Sequence, residues 1–126
     1  MMNSRLRGEA AQRFAERRRR EEEAPRLHDS VPSLATLRLD VTESRGVSNG
    51  DPKHTRIIVV ETAPALFWLS CGDHACRDGG HDLTSSVMRG LHSRATHFGV
   101  EDTCYGSLGT AECGRLMRVQ VTATYH

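Results

Sequence analysis

Four cysteines, Cys71, Cys76, Cys104 and Cys113, constrain this chain more than any other feature. Four residues separate the first two, eight separate the last two, and 27 lie between the pairs. Thiols spaced in this way become metal ligands, disulfides or small buried apolar groups. Met1-Met2-Asn3-Ser4-Arg5 leads into charge instead of an apolar segment, which argues against a secretory signal and for a cytoplasmic setting. Thiols stay reduced there, and closely spaced cysteines are more often ligands than disulfides. Zinc takes four such sulfurs in a tetrahedron. The expectation is one structural zinc ion per chain, on Cys71, Cys76, Cys104 and Cys113. His74 and His81 lie near the first pair and are substitutes for one sulfur in a mixed site. Buried thiols without metal are the remaining reading. The spacing fits no common iron–sulfur run.

A chain of 126 residues makes one modest domain, and 37% apolar content gives it a thin core that a staple would reinforce. No run of some eighteen apolar residues exists, so no membrane partner is expected. Residues 1–30 hold eight Arg against six acids, while residues 31–126 are near neutral. The organisation expected is therefore a charged N-terminal arm, 1–30, followed by a single zinc-binding domain, 31–126. The arm favours helix by composition but has a thin apolar face, so it reads as a fraying helix or a disordered segment. Its ERRRREEE run sets Arg17 against Glu21, Arg18 against Glu22 and Arg19 against Glu23, each pair worth about 0.2–0.5 kcal/mol. Pro25 ends it.

Beyond the arm, residues 35–43 alternate, with Leu37, Leu39 and Val41 on one face, as a half-buried strand does. Turn formers fill 44–54, and the β-branched run at 55–61 reads as a second, more buried strand pairing with the first. Residues 66–70 read as a third strand, on which Phe67 and Trp68 take opposite faces, one in the core and one covered by the arm. A helix follows Asp82, whose carboxylate suits the free amides of Thr84 or Ser85. Leu83, Val87, Met88 and Leu91 form its apolar stripe, and residues 92–99 end it. Residues 116–125 alternate more clearly than any other segment. The fold class expected is α+β: a small antiparallel sheet with one main helix and a four-cysteine site.

The first cysteine pair follows a strand and the second precedes one, with Gly114 directly after Cys113. Over about residues 66–120 this layout resembles the zinc ribbons and zinc knuckles of small bacterial proteins, though both gaps within the pairs are longer than theirs. The resemblance implies a closed structural site and work in protein or nucleic-acid assemblies. A non-enzymatic binding or adaptor module is the leading reading, with an unidentified protein or a second copy of the chain as partner. Nucleic-acid binding is the alternative, through Arg17, Arg18, Arg19, Arg20, Arg26, Arg89, Arg94, Arg115 and Arg118. The third is a small metalloenzyme using Asp73, His74, Asp78, His81 and Asp82. No HExxH, Walker loop, GxSxG or dinucleotide fingerprint supports it.

Overall fold

The computed structural model describes residues 2–44, 53–72, 76 and 79–126. Eleven elements follow one another: α1 (Met2–Glu23), α2 (Leu27–Ser30), β1 (Leu34–Ser44), β2 (Lys53–Ile58), β3 (Trp68–Leu69), β4 (His81–Asp82), α3 (Thr84–His92), β5 (His97–Thr103), β6 (Ser107–Leu108), β7 (Ala111–Glu112) and β8 (Leu116–Tyr125). Four of them make an antiparallel sheet in the order β2-β1-β8-β5. β1 and β8 occupy its centre, and both are long and strictly alternating. Leu37 pairs with Ala123, Leu39 with Val121 and Val41 with Val119, which stacks their apolar side chains on one face. All six are buried. Arg38, Gln120, Arg118 and Thr124 alternate with them and face water.

The apolar face is covered by a second layer. α3 contributes Val87 and Leu91, both fully buried, while Met88 is half-buried and Arg89 is exposed. Phe67, Leu69 and Leu83 join the same core, as do Leu27 and Val31 from the α2 region. Leu27 is held by its amide, which donates to the Ala63 carbonyl at 2.8 Å. The helix start is as expected: the Thr84 amide donates to Asp82 Oδ1 at 3.2 Å.

Several expectations are corrected. α1 is a 22-residue helix, so the chain has two substantial helices and not one main helix. Of its i,i+4 pairs, Arg17–Glu21 closes at 3.1 Å and Arg18–Glu22 at 3.9 Å, while Arg19–Glu23 makes no ion pair. The β-branched run of β2 is not buried: β2 is an edge strand with Ile57 70% exposed, because no element covers either of its faces fully. The third strand shrinks to Trp68–Leu69, which pairs with β4 in place of the main sheet. Residues 97–103, of which 97–99 were expected within the end of the helix, form the other edge strand.

Candidate metal centre

The four cysteines arrive from chain segments at one end of the main sheet. Cys71 and Cys76 follow β3. Cys104 follows β5, and Cys113 precedes β8. What the sequence shows as a long gap in the second pair is a hairpin of β6 and β7, which returns the chain so that both cysteines sit at its base. The Cys113 amide donates to the Gly106 carbonyl and the Cys104 amide to the Arg115 carbonyl, each at 2.8 Å. Gly114 then turns the chain into β8 at φ +63°, a conformation that L side chains rarely adopt.

All four sulfurs lie within 4.8 Å of one another. The contacts run between the pairs: Cys71 Sγ to Cys113 Sγ is 3.8 Å, and Cys76 Sγ to Cys104 Sγ is 3.6 Å. A tetrahedron with metal–sulfur bonds of about 2.3 Å has sulfur–sulfur edges of about 3.8 Å, whereas a disulfide needs about 2.05 Å. The residues therefore fit a tetrahedral ion. A second observation agrees. A side chain on Gly79 would place its Cβ 2.5 Å from Cys104 Sγ and nearer still to Cys76 Sγ, so only glycine fits against the sulfurs. The Gly106 amide donates to Cys104 Sγ at 3.4 Å, a contact that favours thiolate.

Without a cation the site resists ionisation. Burial, reinforced by contacts with Cys113 and Cys104, pushes the Cys71 thiol up to about 12. Burial and the neighbouring thiols push Cys76 up as well. Four sulfurs this close do not share negative charge unaided, and a divalent ion held among them would supply the counter-charge.

Two further groups brace the centre. Glu43, at the end of β1, is 4% exposed and accepts from the Gly72 amide at 3.0 Å, just after the first ligand position. Arg115 Nε lies 3.6 Å from the same carboxylate, two residues beyond Cys113. The acid and base thus tie both cysteine loops to the sheet. Glu43 was not singled out from sequence, although the parity of Leu37, Leu39 and Val41 extends to it. His81 is the other brace. It is fully buried, and its Nδ1 lies 2.7 Å from Asp102 Oδ2, across to β5 and two residues before Cys104. Its Nε2 has no hydrogen-bond partner among the described residues.

His81 is therefore not brought into the sulfur cluster, and the expected substitution by His81 gives way to its bond with Asp102. Asp73, His74 and Asp78 lie outside the described residues. Asp82 serves Arg20 and the Thr84 amide; burial raises its carboxyl, but those partners outweigh it and hold it below its ordinary value. Several of the arginines expected to bind nucleic acid make contacts within the chain. Arg17 donates to the Trp68 carbonyl at 3.2 Å, and Arg20 meets Asp82 at 2.5 Å. Both guanidinium groups lie over the Trp68 ring, 5.7 and 5.3 Å from its centre. Arg94 lies over Tyr125, and Arg118 pairs with Glu101. Arg19, Arg26 and Arg89 are exposed at separate places.

Fold and site together define a small α+β domain with antiparallel sheets and a four-cysteine centre capable of coordinating a metal ion. No known protein family, curated protein or solved structure matches the chain. No helix among the described residues is long and apolar enough to cross a membrane.

Proposed function

We propose that this protein is a non-enzymatic binding module whose fold is stapled by one zinc ion on Cys71, Cys76, Cys104 and Cys113. The observation that carries the reading is the closure of the four sulfurs on one point from both ends of the cysteine array. Four thiolates fill a tetrahedral zinc, which leaves no position for water or substrate, so the ion holds loops and does not activate a reactant. When bound, zinc supplies the charge that lets the thiols ionise. The chain's own residues do the rest: Glu43 and Arg115 fix the loops, and Gly79 leaves room for the sulfurs.

Protein binding is favoured over nucleic-acid binding by the state of the arginines. Arg17, Arg18, Arg20, Arg38, Arg115 and Arg118 each have an acidic partner. A phosphate backbone calls for a continuous unpaired stripe. Among the described residues the open face of the sheet also carries no Phe, Tyr or Trp for stacking bases, His97 being its one aromatic ring.

Cobalt(II) added to reduced, metal-free protein tests the site reading. The expected spectrum is that of a tetrahedral four-thiolate complex at one equivalent, unchanged by added azide. A spectrum that shifts with azide would reveal an open coordination position and favour the metalloenzyme.

A further inference from the structure

The sheet ends at two edge strands, β2 and β5, and β2 is the one with no buried residue. Only β1 pairs with β2, so the other side of β2 offers unpaired N–H and C=O groups among the described residues. Its charge is graded along its length. Lys53, His54 and Arg56 fill the first half with no acid between them, and Lys53 and Arg56 have no ion-pair partner among the described residues. Ile57 and Ile58 fill the second half and Val59 follows directly, with Ile57 and Val59 70% and 59% exposed.

A pocket of about 110 Å³ opens beside this strand. Leu39, Ile58, Pro64, Leu66 and Trp68 are among its lining residues, and Arg56 is the one charged group there among the described residues. Arg56 and Ile58 share the face of β2 that pairs with the core side of β1, opposite Leu39 and Leu37. Pocket, edge and positive charge are therefore contiguous. A strand laid along β2 would alternate its side chains between this pocket and the exposed Ile57.

We propose that β2 is a docking edge for an extended segment of a partner protein in which a β-branched apolar run adjoins an acidic run. The apolar run lies along Ile57 and Ile58 and places one side chain in the pocket; the acidic run meets Lys53 and Arg56. This inference rests on the reading of the protein as a binding module and names its partner chemistry. A second copy is a poorer occupant. Pairing β2 with itself brings the cations of two strands together. Pairing it with another copy's β5 uses Glu101 and Asp102, already engaged by Arg118 and His81, and makes a head-to-tail contact in place of a two-fold one.

The probe is a synthetic peptide of about eight residues, four alternating Ile and Val followed by four Glu, together with its reversed sequence, against the zinc-loaded full chain. Trp68, the single tryptophan, lines the pocket and reports occupancy by its emission. Saturable change is expected with one of the two acidic peptides and none when Lys replaces Glu. Lys53→Glu with Arg56→Glu should weaken binding about tenfold, Ile57→Gln should weaken it without altering charge, and Arg89→Glu should leave it unchanged. Circular dichroism melts identify any variant that fails to fold. The proposal is overturned by no saturable change with either acidic peptide, by equal binding of the Lys peptide, or by insensitivity to the β2 substitutions. It is overturned equally by β2 amides protected from exchange in a dimer without peptide. If the peptides fail while the cobalt spectrum stands, only this docking edge is lost; the module reading falls on the metal result alone.

Discussion

At the scale of single residues, the centre depends on a glycine as much as on its ligands. Gly79 lies where any β-carbon would press on Cys76 Sγ and Cys104 Sγ, and the latter belongs to a buried strand end that cannot retreat. Gly79→Ala is therefore expected to abolish stoichiometric zinc binding at low micromolar metal, as Cys104→Ser would. Competition with a chromophoric chelator measures it. Retention of full affinity by Gly79→Ala would show that the loop has slack the structure does not display. The ligands themselves were legible from their spacing and from Gly114. Glu43 and His81–Asp102 were not. Glu43 sits on the apolar parity of β1, where a carboxylate is unexpected until Gly72 and Arg115 give it partners. His81 and Asp102 meet only after β4 and β5 are brought together, and β5 itself gives little local warning.

At the scale of elements, the strands at the sheet centre were readable because both of their faces have settled environments. β1 and β8 each have a strand on both sides and a core on one face, so alternation follows. Edge strands lack that constraint. β2 carries β-branched residues without being buried, and β5 breaks its apolar alternation with Asp102, on the face of Phe98 and Val100. The arm was readable in composition but not in its docking. Trp68 is half-buried beneath Arg17 and Arg20, while Phe67 fills the core. These contacts are polar and partly exposed, so the helix should release without unfolding the sheet. Arg17→Ala with Arg20→Ala should move Trp68 emission to longer wavelength with the melt nearly unchanged. Acid should act similarly. The Asp82 carboxyl is held below its ordinary value, so its contribution is present above the unfolded value near 3.8 and is lost as pH falls through the folded one. An emission shift accompanied by loss of cooperative unfolding in the double variant would make α1 part of the core.

At the scale of the whole molecule, the sheet and its helices make one face of core, and the cysteine centre closes the end of the sheet where β4, β5, β8 and the β6–β7 hairpin meet. Few apolar side chains lie among those short loops. Their order comes from the four sulfurs, with Glu43, Arg115 and His81 binding the loops back to longer strands. β2 lies at an edge of the sheet, and among the described residues only β1 pairs with it. The proposed staple and the proposed docking edge therefore lie at different places on the sheet.

The proposed zinc staple is what the order of the cysteine loops turns on. Elemental analysis of protein purified under reducing conditions without added metal, scored as zinc per chain, tests it most directly. The expected result is close to one zinc, removed only by a strong chelator and with loss of order in the C-terminal half. Folded protein with no metal, four titratable thiols and a melt indifferent to zinc would contradict it.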